Sequence, residues 1–377
     1  MIRDGNPVIM DKRFTVLIAG GGTGGHLYPA IAIGESMQTK HPNIKVHYLG
    51  SKFGIEATVL PVKALPHTLL PIRGLQRGYS LQSFSRNVLL PWRLYNSMRI
   101  AKKTIRKLEP DIIVGTGGYA SAIPLKVAVK RNIPIVLQEQ NSHPGITTTY
   151  FAKEAKRICI AFDAAKDELN GNTLLTGNPI RANIQNGDRK KGGLLFDLNP
   201  DQKTIFLFGG SQGSAFLNKI MNECISMFDS EKIQILWQTG QNQYEQFKHL
   251  NSSLIKVRSF VHNMPEAYAI SDLIISRAGA LTLSEITACG KPSILVPFAH
   301  SAGDHQTKNA ESVVQANAAL LLPEKGLTTR QLFRSAISIL YDDNKLESMS
   351  NNARKIGIPD ATNKIIDQIL EVVKTDV

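Results

Sequence analysis

Residues 12–26 read KRFTVLIAGGGTGGH, and this stretch decides the fold. An apolar run from Phe14 to Ala19 meets a glycine cluster, and a helical pattern follows from Pro29 to Met37. That is the order strand, tight loop, helix. The same order returns with Thr204 to Phe208, then Gly209-Gly210-Ser211-Gln212-Gly213-Ser214, then a helical pattern from Ala215 to Met227. Gly21 and Gly209 lie 188 residues apart, half of the 377-residue chain. Each half continues in the same style. Ile112 to Val114 precedes Gly115-Thr116-Gly117-Gly118, and Ile135 to Leu137 precedes Gln138-Glu139-Gln140-Asn141. In the second half, Ile233 to Trp237, Leu273 to Ile275 and Ser293 to Val296 read as buried strands between helical stretches. Alternating β and α elements with short apolar strands imply parallel sheets. The expectation is an α/β chain of two doubly wound, Rossmann-like domains facing across a cleft: an extension over 1–13, a first domain over 14–180, a second over 181–357, and a last helix in 358–377 that packs back on the first domain. Ligands on such sheets bind beyond the carboxyl ends of the strands.

Composition agrees with a globular α/β protein. No apolar run approaches the length of a membrane span, and Met1 to Arg13 lacks the apolar centre of a signal peptide, so a cytoplasmic chain is expected. Cys159, Cys224 and Cys289 are scattered and read as buried thiols in a reducing compartment. Of the net charge of +13, nine cations fall between Arg73 and Lys107, with no acid among them. They interleave with Leu75, Tyr79, Leu81, Phe84, Leu89, Leu90, Trp92, Leu94, Tyr95 and Met98. Cations beside exposed aromatics suit an anionic membrane surface. An amphipathic helix packed on the core is the plainer alternative. No RNA-binding motif accompanies these cations, so nucleic acid is not an expected partner.

Gly20-x-Gly22-x-x-Gly25 matches the dinucleotide fingerprint formally. A nicotinamide cofactor would want an acid at the end of the second strand, whereas Val46 to Leu49 runs into Gly50-Ser51-Lys52. Such a loop has a more general use: its amides approach an anion closely, and the following helix start adds positive potential. A further site of this kind is Ser276-Arg277-Ala278-Gly279-Ala280-Leu281-Thr282-Leu283-Ser284-Glu285, where a strand ends and a helix begins near Thr282. Its amides suit a pyrophosphate, and Glu285 suits two ribose hydroxyls. An ordinary helix cap with an acidic first turn is the alternative.

Six motifs then stand in a fixed order: Gly21-Gly22-Thr23-Gly24-Gly25-His26, Gly117-Gly118-Tyr119, Glu139-Gln140-Asn141, Gly177-Asn178-Pro179-Ile180-Arg181, Gly209-Gly210-Ser211-Gln212-Gly213, and the stretch from Ala278 to Glu285. In these the chain, from about Phe14 onward, resembles the MurG family of bacterial N-acetylglucosaminyltransferases, which convert lipid I to lipid II in peptidoglycan synthesis. The resemblance implies the two-domain GT-B fold and an inverting transfer. The donor would be UDP-N-acetylglucosamine. The acceptor would be the 4-hydroxyl of N-acetylmuramoyl-pentapeptide on undecaprenyl diphosphate, at the cytoplasmic face of the membrane. It implies that Thr23, Gly24 and Gly25 meet phosphate or sugar and that Asn141 contacts the donor sugar. Arg181 and Ser211 would contact the nucleotide diphosphate, and Val261 would hold the uracil through its backbone. Ala280, Leu281, Thr282, Leu283, Ser284 and Glu285 would bind diphosphate and ribose, and Gln306 the sugar hydroxyls. The chain departs from the family pattern at Gln138, where a histidine is frequent, and at His305, where a glutamine is common.

An inverting transfer needs a base for the attacking hydroxyl and stabilisation of the leaving group. His26, at a helix start that favours a neutral ring, is the first candidate base. Glu139 is the rival, or else a carboxylate that orients His26 or Asn141. No cofactor and no metal are expected, since Asp-x-Asp and zinc-type spacings are both missing from the sequence. Two other readings stay open: a transferase of the same fold with a different glycolipid acceptor, and a non-catalytic nucleotide-sugar-binding protein at the membrane.

Overall fold

The computed structural model describes residues 14–74 and 89–375, with only the backbone of Ala302. Part of the basic stretch (Leu75, Arg77, Tyr79, Leu81, Phe84 and Arg86) and the extension over 1–13 therefore lie outside the described residues. The chain divides into two compact units. One runs to Pro179 and takes in Asp360–Val377, and the other is Ile180–Pro359.

The first unit carries seven strands: β1 Thr15–Ala19, β2 Lys45–Ser51, β3 His67–Leu70, β4 Ile112–Gly115, β5 Ile135–Glu139, β6 Arg157–Ile160 and β7 Thr173–Leu175. They form one parallel sheet in the order β3-β2-β1-β4-β5-β6-β7. The order reverses between β1 and β4, where Val16 pairs with Ile112. The second unit carries β8 Thr204–Phe208, β9 Gln234–Gln238, β10 Ile255–Arg258, β11 Leu273–Ser276, β12 Ser293–Leu295 and β13 Ala319–Leu321. Their order is β10-β9-β8-β11-β12-β13, with the reversal between β8 and β11. At such a reversal the loops diverge to opposite faces and leave a crevice at the carboxyl ends of the strands.

The central strands are apolar along most of their length because both faces of each sheet are covered. Within β1, Leu17 and Ala19 pack into one core and Val16 and Ile18 into the opposite one. β8 repeats this, with Ile205 and Leu207 on one side and Phe206 and Phe208 on the other. The helix Ala361–Thr375 belongs to the first unit. Its Ile365, Ile366, Ile369 and Val372 enter the core that holds Val16, Ile18 and Met37. At about 1.5–3 kcal/mol for each buried aliphatic side chain, that stripe is a large share of the unit's cohesion. Cys159 and Cys224 are buried and Cys289 is half-buried, all as free thiols. Burial pushes each of them up to about 12.

The helix Leu90–Leu108 carries the described part of the basic stretch. Its later turns bury Ser97, Ala101 and Ile105, with Met98, Ile100 and Leu108 packed alongside. Its first turns leave Trp92 65%, Leu94 45% and Tyr95 69% exposed. Core packing and an exposed apolar end therefore coexist on one helix. Arg73 and Arg93 lie over the ring of Phe53, at 4.0 and 5.2 Å from its centroid. Among the described residues no helix is long and apolar enough to cross a membrane.

Candidate active site

Two groups of the expected site residues form, one at the carboxyl ends of the strands in each unit. In the first, the loop after β1 leads through Thr23, Gly24 and Gly25 into the helix Gly24–Lys40, and His26 sits on its first turn. Thr23 and Gly25 are exposed. The ring of His26 lies against the loop that follows β4. A Cβ on Gly117 would come within 2.8 Å of its Nδ1, and one on Gly118 within 3.0 Å of its Cδ2. Both residues have positive φ, 89° and 75°. Glycine is needed there twice over, for the backbone conformation and for the flat contact with the imidazole.

The His26 Nδ1 stands 2.8 Å from Gln140 Oε1 and 3.1 Å from the Thr116 carbonyl. The Thr116 hydroxyl donates to the His26 carbonyl at 2.8 Å, which fixes the same loop to the helix from the other side. Gln140 is itself buried. Its amide nitrogen donates to the carbonyls of Thr116 (2.8 Å) and Gln138 (3.0 Å) and to the Gln138 side chain. Gln138 donates to Asn178 Oδ1 at 3.0 Å, and Asn178 returns a bond to the Gln140 carbonyl at 3.1 Å.

Glu139 is 2% exposed at the end of β5. One oxygen accepts from the backbone and side-chain nitrogens of Asn141 (3.1 and 3.3 Å), the other from Gly145 N–H at 3.1 Å. Of the two orienting roles expected for Glu139, this is the one toward Asn141. His26 takes its partner from the neighbouring residue instead.

One buried carboxylate beside this loop had no counterpart in the sequence reading. Glu56 is fully buried, and its carboxylate accepts from Gly22 N–H with both oxygens (3.0 and 2.9 Å) and from Ser51 N–H at 2.7 Å. Cβ atoms on Gly21, Gly50 or Gly54 would lie within 2.5 Å of this side chain. Those three glycines make the space for it, and the amides repay the cost of burying its charge. Its signal in the sequence was an acid in the first turn of a short helix shortly after two glycines.

In the second unit, the loop after β8 leads into the helix Ala215–Ser230, capped by the Ser214 hydroxyl, which accepts from Leu217 N–H. Ser211 is exposed on this loop. Gly210 has φ of 90°, and a Cβ there would meet nothing within 4 Å. After β11, Gly279 caps the helix Ala280–Ala288 without a side-chain bond, and among the described residues no carboxylate accepts from the amides of Ala280, Leu281 and Thr282 at this helix start. Leu283 is buried beneath it, and the Ser284 hydroxyl donates back to the Ala280 carbonyl at 3.0 Å.

Glu285 follows one turn later. Tyr268 O–H donates to its Oε2 at 3.2 Å, and Arg181 Nε lies 3.6 Å from its Oε1. Burial pushes this carboxyl above the usual range, opposed by Arg181 and Tyr268. Tyr268 was not among the expected site residues. Gln238, at the end of β9, was also not expected: it donates to the Gly210 carbonyl at 2.9 Å and accepts from Val261 N–H at 2.8 Å. Gln306 Oε1 accepts from Phe298 N–H at 3.0 Å, which ties it to the loop after β12. Arg277, buried beneath these loops, donates to the Ser214 hydroxyl, the carbonyls of Val296 and Pro297, and Glu324 at 2.6 Å. It stitches three strand ends together.

Comparison with known proteins agrees with this geometry. Residues 16–160 match the glycosyltransferase family 28 N-terminal domain and residues 204–365 its C-terminal domain. A UDP-N-acetylglucosamine–N-acetylmuramyl-(pentapeptide) pyrophosphoryl-undecaprenol N-acetylglucosamine transferase of Christiangramia forsetii is 35% identical over 98% of this chain and 100% of its own length. A Bacillus cereus protein of that name, numbered 1, is 37% identical over 95% and 99%. The crystal structure of Acinetobacter baumannii MurG superposes with a TM-score of 0.76 at 26% identity, covering 95% of this chain and 99% of that one. The two strand reversals, the glycine loops beside them and full-length identity to these relatives lead to one conclusion: the chain belongs to glycosyltransferase family 28, as a member of the MurG group.

Proposed function

We propose that this enzyme transfers N-acetylglucosamine from UDP-N-acetylglucosamine to the 4-hydroxyl of the N-acetylmuramoyl-pentapeptide carried on undecaprenyl diphosphate, with inversion at the anomeric carbon. The observation that carries this reading is the match over 95–98% of the chain to relatives named for that transfer. The local geometry supports the roles. The open helix start at Ala280–Thr282, with Ser211 and Arg181, receives the diphosphate. Glu285, held by Tyr268, takes the ribose hydroxyls. The Val261 carbonyl takes the uracil, and Gln306 and Asn141 the donor sugar. The acceptor oxygen attacks the anomeric carbon as the bond to UDP breaks. Its proton passes to the ring of His26, and the negative charge leaves with UDP. Thr23, Gly24 and Gly25 line the acceptor side. Glu139 has both oxygens engaged by N–H groups of the 139–145 loop, which suits it to shaping that loop rather than to taking the proton.

The lipid acceptor calls for work at a membrane surface. The exposed Trp92, Leu94 and Tyr95, followed by Arg99, Lys102, Lys103, Arg106 and Lys107 on the same helix, support peripheral binding to the anionic cytoplasmic leaflet. Incubation with labelled UDP-N-acetylglucosamine and a short-chain lipid I analogue is the test. A labelled disaccharide lipid is expected. Absence of product while UDP-N-acetylglucosamine still binds would remove the acceptor assignment and leave the donor site standing.

A further inference from the structure

We infer that Gln140 is a positioning residue that fixes the tautomer of His26, holding the ring proton on Nδ1 and leaving Nε2 as the proton acceptor. The inference rests on the reading of His26 as the base.

The Gln140 side chain has one donor end and one acceptor end. Its nitrogen end faces three oxygens, the carbonyls of Thr116 and Gln138 and the side-chain oxygen of Gln138. Backbone carbonyls only accept, so the end facing them must be the NH2 group, and a flipped amide would set oxygen against oxygen. The acceptor end, Oε1, is therefore the one that meets His26 Nδ1 at 2.8 Å. The other neighbour of Nδ1 is also an acceptor, the Thr116 carbonyl at 3.1 Å. An unprotonated Nδ1 would face two lone pairs, so Nδ1 carries the hydrogen. A neutral imidazole has one N–H, so Nε2 carries the free lone pair, and no described residue hydrogen-bonds to it.

The amide thus does for His26 what a carboxylate does in a Ser-His-Asp triad, namely choice of tautomer and ring orientation, without adding a charge. Gln138 and Asn178 hold the chain from behind. Among the described residues the charged groups on the flanking loops are Glu56, which accepts from backbone N–H groups, and Glu139, which accepts from N–H groups of its own loop, the Asn141 side chain included.

The test begins with the unmodified protein. Long-range 1H–15N correlation of the histidine rings, with the His26 signal identified by its loss in His26→Ala, reads the tautomer directly. The expected pattern is a protonated, pyrrole-type Nδ1 and an unprotonated, pyridine-type Nε2. The reverse pattern overturns the inference whatever the activity.

Two variants then test the link to the reaction. Gln140→Leu removes the Oε1 acceptor and is expected to lower kcat by roughly tenfold, part of the range a general base supplies, with the KM for UDP-N-acetylglucosamine within about twofold. Gln140→Glu sets a carboxylate against Nδ1–H and is expected to move the acid limb of the kcat profile up by about one pH unit. A kcat that stays at the wild-type value in Gln140→Leu, or an acid limb that stays in place in an active Gln140→Glu, overturns the positioning role. If His26→Ala keeps full turnover while the ring signals show the expected tautomer, the base reading falls and the tautomer assignment stands.

Discussion

The loops after β1 and after β8 begin from the same grammar of strand, glycines and helix, and they finish in opposite electrostatic conditions. After β1, the Gly22 amide already binds an anion, because the buried Glu56 carboxylate accepts from it with both oxygens. After β8, Gly210 has open space above it, and among the described residues no carboxylate accepts from the amides of Gly209 to Gly213. One loop carries its own anion; the other, on the function proposed above, is open to an external one. A glycine loop is therefore not by itself a phosphate site. What decides is whether the protein has filled the cradle. In the first unit the filled loop serves as a rigid seat for the turn that carries His26; in the second, the open loop and the uncapped helix start at Ala280 remain available to a diphosphate.

That contrast breaks most visibly at His26. His26→Ala is expected to lower kcat by about 10²–10⁴-fold with little change in the KM for UDP-N-acetylglucosamine; steady-state kinetics at saturating acceptor measures it. Glu56→Gln comes next. It replaces one accepting oxygen with a donor and leaves buried N–H groups short of a partner, at a cost of about 1–3 kcal/mol. A lower denaturation midpoint and a several-fold lower kcat are expected, again with donor affinity preserved. A weakened donor affinity in this variant would mean that the two loops do not act separately.

The paired alanine variants sharpen the comparison further. Gly22→Ala brings a Cβ to 2.6 Å from the Tyr119 ring at a φ of 92°, whereas Gly210→Ala meets no atom at a φ of 90°. Both carry backbone strain of about 1–3 kcal/mol, and only the first adds a collision. Gly22→Ala should therefore lose more stability and lose kcat. Gly210→Ala should lose less stability and raise the KM for the donor. Thermal denaturation alongside kinetics separates the two.

The smallest effect is expected for Tyr268→Phe, which removes one hydrogen bond to Glu285. A loss of about 1 kcal/mol in donor binding follows. The sign of its pH dependence is fixed. Burial already raises the Glu285 carboxyl, and the Tyr268 bond opposes that rise. Its removal raises the carboxyl further, so donor affinity should begin to fall at a higher pH on acidification than in the unmodified protein. Titration of donor binding against pH checks this.

The elements were legible in the sequence because they rest on local patterns. The run Phe14 to Ala19 and its counterpart Thr204 to Phe208 mark buried parallel strands whichever way the chain goes next. The strand end and helix start around Gly279–Thr282 were legible because the turn glycine and the helical pattern are contiguous in the sequence. The groups that hold the site in shape were not legible, because each acts across the chain. Glu56 reaches back 34 residues to Gly22, and Gln140 reaches 114 residues to His26. Gln238 spans 23 residues to Val261. A buried glutamine at a strand end carries no periodicity, and which of its two ends faces the ring is decided only by the carbonyls it meets in the fold. The helix start moved from the expected Thr282 to Ala280 because Gly279 itself serves as the cap.

The helix Ala361–Thr375 has a consequence for how the molecule is made. Its apolar stripe fills the core of a unit whose other elements end at Pro179, while the second unit, Ile180–Pro359, is one unbroken segment. On the ribosome the first unit is synthesised early and finished last. At roughly 5–20 residues per second, the groove lined by Val16, Ile18 and Met37 waits about 10–40 s for its cover. During that interval the second unit has everything it needs to fold, and the first has an uncovered apolar face that a chaperone would hold.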